Sequence, residues 1–169
     1  YFTSCLEKQI RSYIENIYYG DILYGDKKLL SGQELDIFIP EKKIAIEFNG
    51  VFWHSDFQLP NSYHYNKYKK CKDLGIRLIQ IFEDEWNEKT DIVKGTLSYL
   101  LGMVTDKAYA RKCEVIKVSK QEKAQFLNNN HIQGYTNSIK RYGLVYNNEL
   151  VSIMTFDKSE GRKKMLENE

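Results

Sequence analysis

The sequence predicts an α/β fold: a mixed β-sheet flanked by helices, followed by a small α+β unit with a β-hairpin. Three observations carry this. In residues 34–49, Leu35, Ile37 and Ile39 alternate with Asp36 and Phe38; the turn residues Pro40-Glu41-Lys42-Lys43 then lead into Ile44-Ala45-Ile46 and Phe48. β-branched residues bounded by turn chemistry favour strands over a helix. A helical pattern over residues 63–74 is followed by Ile76-Arg77-Leu78-Ile79-Gln80-Ile81-Phe82, the near-continuous apolar run of a strand covered on both faces. Such a unit closes by a right-handed crossover, so this strand lies parallel to the second hairpin strand. Beyond a linker at residues 102–109 the composition changes. There Gly143-Leu144-Val145-Tyr146, Asn147-Asn148 and Glu149-Leu150-Val151-Ser152-Ile153-Met154 read as a hairpin with an asparagine turn.

The other elements follow in order. Ser4 with Glu7 three residues later is a capping box. Leu6, Ile10, Tyr13, Ile14 and Ile17 then make one apolar stripe at helical spacing, ended by Gly20. Residues 21–30 read as a short edge strand, a Gly25-Asp26 turn and an irregular return. After a polar loop at 55–62, the helix over 63–74 is capped by Gly75 and carries His64, Lys67 and Cys71 on one face. Glu83-Asp84-Glu85-Trp86 closes the next strand. A helix over residues 88–101 turns Ile92, Val93, Leu97, Leu100 and Leu101 inward. In the second unit, residues 113–118 read as a strand, 120–127 as a helix and Asn128-Asn129-Asn130-His131 as a loop.

The 169 residues suffice for one ordinary domain, residues 1–103, and a smaller unit, residues 104–169. The smaller unit buries little core alone, so it is expected to pack on the first or to be incomplete. A start at Tyr1 rather than Met suggests a piece of a longer chain. Apolar content of 42% supports a real core, and 28% charged residues are ordinary for a soluble protein. No apolar run reaches membrane-spanning length and no signal peptide is present, so a cytoplasmic protein with no membrane partner is expected. Cys5, Cys71 and Cys113 are isolated from one another, an odd count that suits reduced thiols. No CxxC or HxxxH spacing exists, so no zinc site is signalled.

A net charge of +2 does not by itself predict a nucleic-acid partner. The distribution says more. Lys67, Lys69, Lys70 and Lys72 cluster, as do Arg162, Lys163 and Lys164, in a chain with 13 tyrosines. Aromatics interleaved with lysine suit phosphate contacts and base stacking, and equally suit half-buried surfaces.

The stretch over residues 34–54 holds the candidate chemistry, because a carboxylate interrupts each hairpin strand. With Pro40 to Lys43 as the loop, Ile39 faces Ile44 and Asp36 falls opposite Glu47. Directly opposed residues have Cβ atoms about 5 Å apart. Two carboxylates that close repel unless a proton or cation lies between them, and a hard cation such as Mg²⁺ suits oxygen ligands. Asn49 lies beyond Glu47, and after Gly50 come Phe52, Trp53 and His54. A single acid here would more simply bond to backbone or pair with Lys42 or Lys43. Two in register, followed by Phe-Trp-His, favour a metal site.

The runs SCLEK, LDIFIP, IAIEFNGVFWHS and YHYNKYKKCKDLGIRLIQIFEDEW, which span residues 3–86, resemble phage-type homing endonucleases related to the very-short-patch-repair (Vsr) nickases. Those enzymes belong to the restriction-endonuclease-like PD-(D/E)XK superfamily. The resemblance implies a Mg²⁺-dependent DNA endonuclease, with Mn²⁺ able to substitute, acting on double-stranded DNA in a bacterial or phage-infected cell. It implies that Asp36 is the main metal-binding aspartate and that Phe48 offers its backbone carbonyl. His54 matches the general base, Glu7 the supporting glutamate of the first helix, and Phe52 and Trp53 the aromatics that wedge between bases. His64 falls where the Vsr enzymes have an acid. Asn49 stands where many superfamily members have lysine and the Vsr enzymes histidine; Lys67 could supply the missing cation from the helix. The cysteine and histidine zinc ligands of the Vsr enzymes are not evident, so no structural zinc is expected. The second unit is similar to a module that follows this nuclease type in phage proteins.

The expected catalytic set is therefore Glu7, Asp36, His54, His64 and Lys67, with Asp36, Glu47 and Phe48 on the metal. Asn49, Phe52, Trp53, Lys69 and Lys70 are expected to face DNA. One active centre must act twice, or pair in a homodimer, to break both strands. The competing readings are a non-catalytic DNA-binding module of the same fold, an RNA nuclease, and an acyltransferase centred on the second unit. The last lacks a pyrophosphate-binding glycine loop after a strand.

Overall fold

Period-2 alternation in the central hairpin sorts side chains onto two sheet faces, and the register decides which polar groups share a face with which apolar ones. The computed structural model describes residues 5–50 and 62–158. It divides into two units, Tyr1–Val104 and Thr105–Glu169. The first runs α1 (Cys5–Ile17), β1 (Leu23–Leu30), β2 (Gln33–Ile39), β3 (Ile44–Asn49), α2 (Ser62–Asp73), β4 (Arg77–Phe82), α3 (Glu83–Glu88) and α4 (Thr90–Leu101). Its sheet has the order β1-β2-β3-β4. The first three strands are antiparallel neighbours, and β4 lies parallel to β3 after the α2 crossover.

The hairpin register is the expected one, with Ile39 opposite Ile44, Phe38 opposite Ala45 and Ile37 opposite Ile46. Lys43 takes a positive φ of 51° to close the turn. Phe38 and Ala45 therefore share a face. They pack with Cys71 of α2, Leu30, Leu35 and Ile76, and Leu78 of β4 abuts the cluster. Ile37, Ile39, Ile44, Ile46 and Ile81 point the other way and are buried. The buried sides of α1 (Ile10, Ile14) and α4 (Val93, Leu97, Leu101) supply the remaining core. Tyr13 ties these two helices by hydrogen bonds to the Lys94 carbonyl (3.0 Å) and the Ser98 hydroxyl (2.7 Å).

Three local expectations are corrected. Gly25-Asp26 is not a turn: β1 is one strand whose pairing with β2 is irregular between Asp26 and Leu30, and the chain reverses at Ser31-Gly32. Gly25, at φ 60°, permits the irregularity without a reversal. Glu83-Asp84-Glu85-Trp86 does not merely close β4 but forms α3. Three acids in a first helical turn suit the positive helix end, and Glu85 accepts the Phe82 N–H (3.2 Å). The helix expected over 88–101 is α4, separated from α3 at Lys89. In the second unit the asparagines at 128–130 are helical rather than looped.

That unit consists of β5 (Glu114–Lys117), α5 (Lys120–Asn130), β6 (Lys140–Tyr146) and β7 (Glu149–Phe156). Its antiparallel sheet has the order β5-β6-β7. Ser119 and Glu122 make a reciprocal capping box that starts α5, and Asn130 bonds the Phe126 carbonyl (2.9 Å) to prolong it. Asn147 and Asn148 both take positive φ in the hairpin turn, as the asparagine pair predicts. Lys123 is fully buried, and its ammonium donates to the Thr136 carbonyl and the Ser138 hydroxyl over the Tyr135 ring. Those acceptors offset the cost of removing the charge from water. Among the described residues no helix is long and apolar enough to cross a membrane.

Ile37→Ala removes a buried side chain from the sheet face away from Asp36 and Glu47. It should lower unfolding stability by about 2–5 kcal/mol, as measured by urea unfolding.

Candidate functional site

The β2–β3 ladder ends at Ile37–Ile46, and the carboxylates take over where the backbone pairing stops. Asp36 accepts the Phe48 N–H (2.9 Å), and Glu47 accepts the Asp36 N–H (3.3 Å). Each acid thus anchors the other's strand. Asp36 lies two residues before Phe38 and Glu47 two after Ala45, so they share the face covered by α2. The simpler alternative forms in part: both acids accept backbone N–H groups, but the lysine that pairs is neither Lys42 nor Lys43. Lys42 meets Glu41, and it is Lys67 of α2 whose ammonium contacts Glu47 directly.

Burial makes this cluster costly in isolation. Glu47 is 8% exposed, Asn49 3% and Lys67 4%. Burial, then the charge of Asp36, pushes the Glu47 carboxyl up to about 7 despite the opposing pull of Lys67 and the Asp36 N–H. Burial also raises Asp36, while the Phe48 N–H, Lys67 and the Arg11 guanidinium pull it down and Glu34 pushes it up. Lys67 contacts Glu47 and, like Arg11, acts on Asp36 through its charge. Cys71, one helical turn beyond Lys67, has its thiol raised by burial and then by Glu47, which makes it an inert packing group rather than a nucleophile.

The structure brings Asp36, Glu47, Phe48 and Lys67 together. Asn49 lies two residues beyond Glu47, and its Nδ2 is buried with no hydrogen-bond partner among the described residues. Glu7 pairs with Arg11 along α1. His64 sits one turn before Lys67, edge-on to Tyr63 with ring centroids 5.6 Å apart. Lys69 and Lys70 are exposed on α2. Phe52, Trp53 and His54 lie outside the described residues, as does Ser4 of the expected capping box.

Two polar residues near this cluster were not singled out from the sequence. Gln80 of β4 is the register partner of Glu47, and the polar interruption of an apolar strand was its only signal. Arg11 is four residues after Glu7, stacks over Tyr24 at 4.6 Å, and acts electrostatically on Asp36. Nothing in the spacing of a lone helix arginine pointed to that strand.

The donors offered by Asp36, Glu47 and the Phe48 carbonyl are all oxygen, a set that fits hard divalent cations such as Mg²⁺ or Mn²⁺. Among the described residues no three His, Cys, Asp or Glu side chains gather into a metal cluster. Mg²⁺ requires none, since it binds through one or two carboxylates with waters and substrate phosphate completing its shell.

No family model matches the chain, and no curated protein matches it in sequence. Among solved structures, the catalytic domain of the homing endonuclease I-Bth0305I aligns with 61% of this chain and 100% of its own, at 22% identity and a TM-score of 0.47. A likeness at that level assigns no role to any residue of this chain.

The raised carboxyls make stability depend on pH. Between the ordinary glutamate value of 4.5 and about 7, the folded state holds a proton that the unfolded state has released. Unfolding then becomes easier as pH rises through that window, by an amount on the order of a few kcal/mol. Thermal melts of metal-free protein from pH 4.5 to 8 should show this decline, and Glu47→Gln should flatten it.

Proposed function

We propose that the chain is a divalent-metal-dependent endonuclease that hydrolyses phosphodiester bonds in double-stranded DNA. The observation that carries this reading is the buried Asp36–Glu47 pair, each acid bound to backbone of the other's strand, with Lys67 in contact with Glu47. A structural ion pair needs one acid and one lysine. The second acid also holds a backbone N–H, a task a neutral amide could do without burying another charge.

Asp36, Glu47 and the Phe48 carbonyl would hold Mg²⁺, which when bound polarises the scissile phosphate and stabilises the leaving oxygen. The chain's own groups do the rest. Lys67, from a helix rather than from the strand position that Asn49 occupies, offsets charge developing on the phosphate. His54, proposed from the sequence alone, takes a proton from the attacking water. Glu7 and Arg11 orient the approach to Asp36, and His64 adds a second polar group from α2. Lys69 and Lys70 contact backbone phosphates, which makes affinity fall with salt.

Supercoiled plasmid incubated with Mg²⁺ should be nicked or linearised by the wild type. Asp36→Ala and His54→Ala should lose at least ~100-fold in rate, the scale of one general base or one charge-stabilising group. Cleavage left intact by both substitutions overturns the assignment. EDTA-insensitive binding with no nicking under any divalent ion would instead identify a non-catalytic DNA-binding module, and preferential cleavage in an RNA competition would identify an RNA nuclease.

Metal and proton compete for Glu47, so ion binding must strengthen as pH rises through about 7. The increase in melting temperature caused by Mn²⁺ should be small at pH 6, larger at pH 8, and absent at both in Asp36→Ala.

A further inference from the structure

A second site adjoins the acid pair. Asp36, Glu47 and Gln80 lie on successive strands of one sheet, and Glu47 and Gln80 are direct register partners. Neighbouring strands are about 4.8 Å apart, so Gln80 stands one strand beyond the candidate metal position. There it borders a groove of about 370 Å³ lined by His64, Tyr65, Tyr68, Leu78 and Gln80. Tyr65 and Tyr68 are three apart on α2 and are 64% and 48% exposed, so their rings present faces to whatever enters. Leu78 supplies an apolar wall, and the Gln80 amide offers an acceptor and two donors among the apolar side chains at 78–82.

We infer that this groove is a nucleobase subsite for the strand held at the acid pair. An aromatic face, an apolar wall and one amide suit a flat heteroaromatic ring with a hydrogen-bonding edge. A phosphate would call for cations here, and a lipid chain would not use the amide. The Tyr65 and Tyr68 side of α2 takes the base face. Gln80 reads the edge and favours a base with adjacent donor and acceptor, as adenine presents. Gln80 and Tyr68 are thus specificity residues and lie outside the hydrolytic set. The inference rests on the nuclease reading for the identity of the strand.

The test is fluorescence anisotropy of the full chain in EDTA with a labelled oligonucleotide in which each base is replaced in turn by an abasic residue. One position beside the cleavage point should weaken wild-type binding by roughly 5- to 150-fold, the range for one base–aromatic stack. Tyr68→Ala should weaken the intact oligonucleotide by a similar factor and remove sensitivity to that abasic position. Gln80→Leu should keep abasic-oligonucleotide affinity but flatten the preference among the four bases. Tyr68 is half exposed, so its loss leaves the core intact, and circular dichroism checks Gln80→Leu for folding. Wild-type affinity and base preference in both folded variants would overturn the subsite even with cleavage intact. A position-specific abasic effect without cleavage under any divalent ion would leave the subsite standing and remove the hydrolytic reading. No nucleic-acid binding at all removes both.

Discussion

The first unit depends on an electrostatic constraint: two carboxylates held against each other, out of water, where β2 and β3 stop pairing. Asp36 and Glu47 replace the missing rungs by accepting N–H groups from the opposing strand. That exchange is favourable only if the excess negative charge is answered. The answer comes from Lys67, and Lys67 is where it is because Cys71, one turn later, packs against Phe38 and Ala45. Apolar packing of half a helix thus positions the cation on its other half. The face divides along the strands into an oily end, with Phe38, Ala45 and Leu78, and a polar end, with Asp36, Glu47 and Gln80.

This division explains why the hairpin was legible in the sequence. Period-2 alternation and a four-residue turn leave one register that buries both apolar sets, and that register puts Asp36 and Glu47 together. Lys67 was readable as a group on the sheet-facing side of α2, since its spacing to Cys71 is helical. Its choice of Glu47 was not readable, because that depends on how far the crossover carries α2 along the sheet.

Gln80 and Arg11 show where local reading stops. Each takes its meaning from a neighbour supplied by another element: Glu47 for Gln80 through strand pairing, Asp36 for Arg11 through helix placement. The misread elements have local causes instead. The acids at 83–85 looked like a strand ending because they follow an apolar run, yet acids are also what the first turn of a helix favours. The asparagines at 128–130 looked like a loop because asparagine prefers turns, but a side-chain bond to the preceding helical carbonyl kept them in α5.

The irregular pairing of β1 also limits how copies of the chain can meet. β1 borders the sheet, and an unguarded border of that kind is a template for strand addition by a neighbouring molecule. Here the ladder is interrupted between Asp26 and Leu30, Gly25 bends the backbone, and the exposed Lys28 places positive charge on the rim. Sheet-to-sheet polymerisation through that rim is disfavoured by both shape and repulsion. Two copies of the chain would have to associate through other surfaces.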